Sequence, residues 1–361
     1  MLTNGIFCDK MQTLNYNGKK RAFRRMKVKM YIFLAILGIV VGFVMLIKGA
    51  DWFVEGSSSI AKTLKVPTII IGLTIVAMGT SLPEASVSIT SALDGKNALA
   101  ISNVVGSNIF NTLVVLGASA VIAPVCVQPG SVKKEIPFSI LCTLALLGAL
   151  ICGIAPKETE NGTTYSFTLG IIGGIVLLAI SAFYMYWQIS AALKSRKLDL
   201  KNGIVEEEDD VKILPWWKSA IFIVIGIVLI IFGGNFVVDG ASYVAARLGM
   251  SETLIGMTIV ALGTSLPELV TSVVAAKKGE SDLALGNVIG SNIFNIIFIL
   301  GFSAVIAPMT VDILAIIDTV AVIGVSVLAL IFSATGRKIS RIEGAIMLAA
   351  YAGYFAYMFV R

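Results

Sequence analysis

The 361-residue sequence contains no histidine, and charged residues make up only 14% of it. Without histidine the chain lacks the usual nitrogen ligand of zinc, the HExxH metalloprotease motif and any histidine proton relay. The four cysteines, at positions 8, 126, 142 and 152, show no CxxC spacing, so they indicate neither a metal centre nor a redox motif. A buried cation would therefore be held by oxygen atoms, which hard ions such as Ca²⁺ and Na⁺ prefer.

Apolar residues are abundant instead: they make up 57% of the chain, and the mean hydropathy is +0.91. A water-soluble protein of this length is excluded on that composition. A transmembrane helix needs about 20 consecutive apolar residues, and ten windows of the sequence meet this requirement. We predict spans near residues 31–49, 69–92, 98–122, 136–154, 167–187, 219–239, 253–276, 283–307, 313–334 and 342–360.

One stretch of the chain occurs twice. Residues 67–124 and 251–308 align without a gap at a constant offset of 184, and 33 of 58 positions are identical. Both copies contain GTSLPE and, further on, an Asn-rich string, NVVGSNIFN in the first and NVIGSNIFN in the second. Each half therefore holds five predicted spans. Because five is odd, the second copy must enter the membrane in the opposite orientation, which predicts an all-α polytopic membrane protein of ten transmembrane helices in two inverted repeats.

The predicted organisation is a basic tail at 1–29, a first repeat at 30–187, a polar linker at 188–217 and a second repeat at 218–361. With both termini outside, the cytoplasmic connections carry 15 basic residues and the outer ones four. The positive-inside rule then makes the linker cytoplasmic. The tail at 1–29 contradicts this orientation, because its eight basic residues would then lie on the outer side. Since Met30 directly precedes the first span, we interpret residues 1–29 as not native to the protein.

The GTSLPE string places a carboxylate next to a proline within each apolar span. Proline inside a helix removes a backbone donor, so Pro83 is expected to free the carbonyl of Gly79, and Pro267 that of Gly263. Irregular backbone at membrane depth is tolerated where it lines a site. The hydroxyls of Ser81 and Thr80 lie three and four positions before Glu84 and can share a helix face with it. The second copy repeats this arrangement with Thr264, Ser265 and Glu268.

The following span of each repeat carries a polar stripe with a spacing of four residues. The stripes are Asn103, Ser107 and Asn111 in the first copy, and Asn287, Ser291 and Asn295 in the second. Gly106 and Gly290 would let each stripe approach another helix closely. Two carboxylates, six hydroxyls and two amide oxygens would meet at the pseudo-two-fold axis, which suffices for one Ca²⁺. No basic residue lies in the repeat cores, so cations or protons must neutralise the glutamates.

Some polar positions leave alternatives open. For Asn108 and Asn292, one residue off the stripe, hydrogen bonding between helices is favoured over ion contact. For Asn103 and Asn287 the two roles are equally supported. Glu55 and Asp239 stand at equivalent positions near the mouth of the first span of each half, where a gate or interfacial role is conceivable.

At these motifs the chain resembles the calcium/cation antiporter superfamily, and within it the prokaryotic sodium/calcium exchangers, from about Met30 to the C-terminus. The two strings are similar to the alpha-1 and alpha-2 repeats of that family. The resemblance implies that spans 2, 3, 7 and 8 form an ion-binding core across which spans 1 and 6 slide. The ligands that it implies are the side chains of Thr80, Ser81, Glu84, Ser107, Asn111, Thr264, Ser265, Glu268, Ser291 and Asn295, with the carbonyls of Ala77 and Ala261.

The chain departs from some relatives, including potassium-dependent ones, that have Asp at the position of Asn295. With two formal charges instead of three, simple Na⁺/Ca²⁺ exchange is favoured over potassium coupling. A Ca²⁺/H⁺ antiporter is the alternative, because protonated glutamates could replace Na⁺. An intramembrane hydrolase is a remote third reading, since no GxGD-type motif is present. We therefore expect no enzymatic activity and no cofactor. The expected partners are Ca²⁺, Na⁺ and the lipid bilayer of a prokaryotic plasma membrane, with no nucleic acid.

Overall fold

The structure is a computed structural model in which residues 4–159, 162–202, 214–250, 259 and 261–360 are described. Helices make up most of this part of the chain. They are α1 Asn4–Leu64, α2 Thr68–Thr80, α3 Leu82–Leu93, α4 Asn97–Ile122, α5 Ser131–Cys152, α6 Ile171–Asn202, α7 Trp216–Arg247, α8 Ala261–Thr264, α9 Leu266–Lys277, α10 Ser281–Ile306, α11 Ile313–Ala334 and α12 Arg341–Val360.

These helices fall on the predicted spans. Seven described helices are long and apolar enough to cross a membrane, or eight when the bent pair α2–α3 counts as one, so the chain is a polytopic membrane protein. The predicted seventh span at 253–276 is described almost entirely from residue 261 onwards, as α8 and α9. The predicted fifth span was placed too early: it begins at Ile171 rather than 167, because residues up to Leu169 form a strand. The ten-span count agrees with this order of helices.

Two small antiparallel sheets join the connections between helices, which an all-helical prediction did not include. Strands β2 (Ile154–Thr159), β3 (Gly162–Leu169) and β4 (Met309–Val311) form one sheet. Strand β1 (Val125–Cys126) pairs with β5 (Lys338–Ile339) in the other. The first sheet links the connections after predicted spans four and eight, and the second those after spans three and nine. Strands can pair only on one side of a membrane, so both pairings agree with ten alternating crossings.

Helices α1 and α7, which are equivalent under the repeat, pack against each other in opposite directions. Gly42 faces Gly233, and seven residues on, Gly49 faces Gly226. An added Cβ at Gly42 would lie 2.6 Å from the Gly233 carbonyl oxygen, and one at Gly233 would lie 2.7 Å from that of Gly42. Small residues at such spacing let helix backbones meet closely in a membrane. The antiparallel pairing of equivalent helices is what an inverted repeat requires.

The two helices that carry the asparagine stripes lie at the centre of the protein. The most apolar 18-residue windows of α4 and α10 are 72% buried inside the protein, whereas those of the other long helices are 11–33% buried. The outer helices instead expose large apolar side chains such as Phe33, Val44 and Phe183, as expected for surfaces that face lipid. A polar stripe on either central helix is therefore shielded from lipid by its neighbours.

Candidate ion-binding site

The GTSLPE segments break the helices that contain them. The axes of α2 and α3 differ by 51°, and the break falls at Ser81. Pro83 and Pro267 therefore lie in the first turn of α3 and α9, rather than inside a helix as the sequence predicted. A first-turn amide has no intrahelical acceptor, so proline costs nothing there. The two acidic residues, Glu84 and Glu268, follow in the same first turns, where the helix dipole favours negative charge.

The two repeats exchange hydrogen bonds across the pseudo-two-fold axis. Ser81 Oγ donates to Glu268 Oε1 at 2.9 Å, and Ser265 Oγ donates to Glu84 Oε1 at 2.8 Å. The sequence placed each serine with the glutamate of its own repeat, three residues on. The helix break instead directs each serine to the opposite repeat. The site is therefore assembled at the interface of the two halves.

Both glutamates are fully buried, and each has one oxygen that no described residue contacts by a hydrogen bond. Among the described residues, Oε2 of Glu84 and Oε2 of Glu268 accept no hydrogen bond. The ion pairs among described side chains, Lys96 with Asp94 and Lys278 with Asp51, involve neither glutamate. A buried carboxylate without a counter-charge is costly unless a cation or a proton neutralises it. The free oxygens are thus available to a cation.

Three π-helical turns lie beside the predicted ligands. They span Asn111–Val115 in α4, Asn295–Leu300 in α10 and Gly72–Val76 in α2. The last of these turns ends directly before Ala77. Such single turns within α-helices are frequent at functional sites. They shift the backbone pairing at Asn111, Asn295 and Ala77, three of the predicted ligand positions. No spacing in the sequence pointed to them.

The remaining predicted residues of the central helices are buried, and Ser291 lies beside Glu268. Ser291 Oγ lies 3.4 Å from the Ala77 carbonyl oxygen and 3.5 Å from Glu268 Oε1. Ser107 Oγ and both polar side-chain atoms of Asn111 are buried without a partner among the described residues. The structure thus brings Ser291 together with Ala77 and Glu268, and it leaves buried polar atoms of Ser107 and Asn111 free to contact an ion.

Thr80 donates to Asn287 Oδ1 at 3.0 Å, so its hydroxyl bridges the two repeats. Thr264 ends α8 at the equivalent position, and Ala261 begins that helix. The close approach predicted for Gly290 is present, because an added Cβ there would lie 2.7 Å from Ala77 Cβ. One added at Gly106 would meet no described atom within 4 Å.

Asn103 and Asn287, whose role the sequence left open, each support a glutamate-bearing turn. Asn103 Nδ2 donates to Ser88 Oγ at 2.9 Å and to the Glu84 carbonyl oxygen at 3.3 Å. Asn287 Nδ2 makes the equivalent bonds to Ser272 Oγ at 2.9 Å and to the Glu268 carbonyl oxygen at 3.4 Å. These two amides hold the turns in place, and the agreement between the copies shows that the repeat symmetry extends to side chains.

Asn108 makes the contact between helices that the sequence favoured for it: its Nδ2 donates to the carbonyl oxygen of Asn292 at 3.0 Å. Glu55 and Asp239, considered for a gate, lie on α1 and α7, where both are exposed. No contact among the described residues assigns them a role.

One buried acid was overlooked from the sequence. Asp318 lies within the predicted ninth span, is 6% exposed, and accepts a hydrogen bond of 3.1 Å from the hydroxyl of Tyr354. It joins α11 to α12, whereas the predicted ligands lie on or beside α2, α3, α4, α8, α9 and α10. Its position in an apolar window of the sequence was the available signal.

The chain is similar to known exchangers and antiporters over most of its length. A model of the family described as sodium/calcium exchanger protein matches residues 34–190 and 218–360. The chain is 40% identical over 324 residues to the putative antiporter CaxA of Alkalimonas amylolytica, a match that covers 89% of this chain and 97% of that protein. It is 33% identical over 341 residues to the sodium/calcium exchanger MaX1 of Methanosarcina acetivorans, with 89% and 97% covered.

A solved structure shows the same architecture. The sodium-calcium exchanger NCX_Mj, soaked without Na⁺ and Ca²⁺, superposes with a TM-score of 0.74 at 30% identity, over 91% of this chain and 99% of that one. The family match spans both repeats and most of the length. The chain belongs to the sodium/calcium exchanger family.

Proposed function

We propose that this protein exchanges Na⁺ for Ca²⁺ by alternating access around the site between its two repeats. The observation that carries the proposal is the reciprocal pairing of Ser81 with Glu268 and of Ser265 with Glu84. This pairing brings two buried carboxylates together and leaves on each an oxygen that has no partner in the described part of the chain. The proposed ligands are Glu84, Glu268, Thr80, Thr264, Ser81, Ser265, Ser107, Ser291, Asn111, Asn295 and the carbonyls of Ala77 and Ala261.

The charge of this site explains why it would exchange ions. Each unpaired carboxylate at the membrane centre costs about 2.5 to 3.5 kcal/mol even on a lenient insertion scale. One Ca²⁺ neutralises both Glu84 and Glu268, and Na⁺ ions can do so in its place. The two kinds of ion then compete for the same oxygens. Competition at a site that opens to one side at a time produces coupled exchange.

The pair α1–α7 is proposed as the moving element. It packs through backbone contacts at Gly42 and Gly49 with Gly233 and Gly226, so it can move as one unit. The family resemblance implies that these helices slide across the core. The relatives whose names include sodium/calcium exchange support this cycle for the present chain.

We expect Ca²⁺ uptake to depend on a sodium gradient. The protein is reconstituted into liposomes, and ⁴⁵Ca²⁺ uptake is measured under an imposed Na⁺ gradient and, separately, under a proton gradient of equal size. Uptake should follow the Na⁺ gradient and should not require K⁺, because Asn295 supplies no third carboxylate. Uptake driven only by the proton gradient would contradict the proposal and establish Ca²⁺/H⁺ antiport instead.

An ion pair at one end of the bundle provides a test of alternating access. Lys278 Nζ, just past α9, lies 3.2 Å from Asp51 Oδ1 and 2.9 Å from the Asp51 carbonyl oxygen on α1. The equivalent positions at the other end are Asp94 and Asn235, which cannot form this pair. The pair therefore favours one of the two access states over the other.

We expect Lys278→Gln to shift the population of access states. The partly exposed pair contributes at most about 1 kcal/mol, so the ratio of states should change by a few fold at most. Accessibility of cysteines introduced at each mouth, measured without transported ions, reports the ratio. Lys277→Gln, one residue earlier, is the matched control and should leave the ratio unchanged.

The setting we propose is a prokaryotic inner membrane, with both termini outside and the 188–217 linker in the cytoplasm. The basic residues of the connections support this orientation. The chain is 33% identical over 286 residues to the inner membrane protein YrbG of Escherichia coli, which supports the location.

A further inference from the structure

A cluster of side-chain amides joins α4 and α10 beside the proposed ligands. The carbonyl oxygen of Asn292 can only accept a hydrogen bond, so the atom of Asn108 that lies 3.0 Å from it must be the nitrogen Nδ2. The oxygen Oδ1 of Asn108 consequently faces Asn295, whose Nδ2 donates to it at 3.1 Å. The orientation of both amides follows from a single backbone acceptor.

With its nitrogen held in this way, Asn295 turns its oxygen away from Asn108. This oxygen, Oδ1, is buried and accepts no hydrogen bond from the described residues. A buried acceptor without a donor is costly, unless a cation supplies the missing interaction. Asn295 begins a π-helical turn, so its backbone position is also distinct from that of a regular helix.

The first repeat does not repeat this arrangement. Asn292, the equivalent of Asn108, donates from Nδ2 to the hydroxyl of Thr112 at 2.8 Å. Asn111, the equivalent of Asn295, has neither its nitrogen nor its oxygen bonded within the described residues. The residue equivalent to Thr112 is Ile296, which offers no acceptor to Asn108. Thr112 therefore makes the two halves of the site unequal.

We propose that Asn108 is a positioning residue that fixes the amide of Asn295 with its oxygen available to the cation, whereas Asn111 takes up its ligand orientation only when an ion binds. This inference rests on the proposed function, because it assumes that Asn295 contacts the ion. Ligands oriented in advance by a neighbour lose less conformational freedom on binding. The second repeat thus provides a rigid amide ligand and the first an adaptable one.

The test is a double-mutant cycle read by equilibrium ⁴⁵Ca²⁺ binding to the purified full-length protein. Asn108→Leu keeps the shape of the side chain but removes the contact to Asn295. We expect it to weaken Ca²⁺ binding by about tenfold, as is typical when a partner that orients a ligand is lost. Asn295→Ala should weaken binding as well. The double variant should bind no more weakly than Asn295→Ala alone, because Asn108 acts through Asn295.

Two further variants separate positioning from a structural role. Asn292→Leu removes the equivalent amide of the other repeat and should change the affinity by less than about twofold, because Asn292 does not hold Asn111. A merely structural network predicts similar losses from both leucine variants. Asn108→Gln keeps an amide that can donate to the Asn292 carbonyl oxygen and accept from Asn295 Nδ2, so it should bind Ca²⁺ nearly as tightly as the wild type. It keeps the test valid if Asn108→Leu does not fold.

The outcomes distinguish this inference from the function on which it rests. Additive losses in the double variant, an equal loss from Asn292→Leu, or weak binding by Asn108→Gln would overturn the positioning role and leave the proposed function standing. Wild-type affinity in Asn295→Ala would remove Asn295 from the ligand set and the inference with it. A wild-type protein that binds no Ca²⁺ would overturn both.

Discussion

Glu84→Gln and Glu268→Gln are each expected to abolish Ca²⁺ transport while leaving a folded protein. The substitution keeps the shape of the side chain but removes one of the two negative charges of the site. A carboxylate about 4 Å from a unit charge contributes about 4 kcal/mol at an effective dielectric of about 20. Even after the desolvation cost is subtracted, we expect transport to fall about a hundredfold or more. Sodium-driven ⁴⁵Ca²⁺ uptake into liposomes measures the effect.

Asp318→Asn is the matched control for these variants. Asp318 is also a buried acid in a membrane helix, but it bonds to Tyr354 on the neighbouring α12 and is not among the proposed ligands. We expect this variant to retain most of the transport activity. Full transport by both glutamine variants would contradict the assignment of the site. If only Asp318→Asn lost transport, the ion-binding site would have to be placed at Asp318 instead.

The sequence revealed the repeat and made its two glutamates the candidate ion ligands, because a duplicated acid in apolar sequence is costly in a membrane unless a cation or a proton neutralises it. It did not reveal which serine meets which glutamate. Spacing along a regular helix predicts contact between Ser81 and Glu84, but the 51° break after α2 turns the serine toward Glu268 instead. A contact between repeats depends on how two distant helices pack. Local spacing carries no information on that packing.

The small sheets and the π-helical turns escaped prediction for related reasons. The predicted spans 136–154 and 167–187 include residues 154 and 167–169, because these residues continue the apolar windows. In the structure they belong to the paired strands β2 and β3 instead. The turns at Asn111 and Asn295 insert one residue into a helix without any distinctive composition. The difference between Thr112 and Ile296 was visible as a mismatch between the repeats. Its effect on the two asparagines could be recognised only from the structure, in which Asn292 donates to Thr112.

Gly42→Leu is expected to impair transport strongly by a different route, through the packing of α1 against α7. An added Cβ at this position would lie 2.6 Å from the carbonyl oxygen of Gly233 and 2.8 Å from a methyl group of Val237. The backbone oxygen cannot rotate away, so the helices must separate along the whole contact. Overpacking of this kind costs about 1–3 kcal/mol, and it also separates the pair α1–α7, which is proposed to move as one unit during transport.

Gly38→Leu provides the comparison within the same helix. A Cβ added there meets nothing closer than the Phe236 carbonyl oxygen, at 3.9 Å, which is ordinary van der Waals contact. We expect this variant to fold and to transport normally. Gly42→Leu should instead lower the melting temperature of the purified protein and reduce sodium-driven ⁴⁵Ca²⁺ uptake at least about tenfold, since overpacking separates the two helices that are proposed to move together. Gly233→Leu should reproduce the defect from the opposite helix, since the contact is reciprocal. Equal transport by the position 38 and position 42 variants would show that the close approach of these helices is not required for exchange.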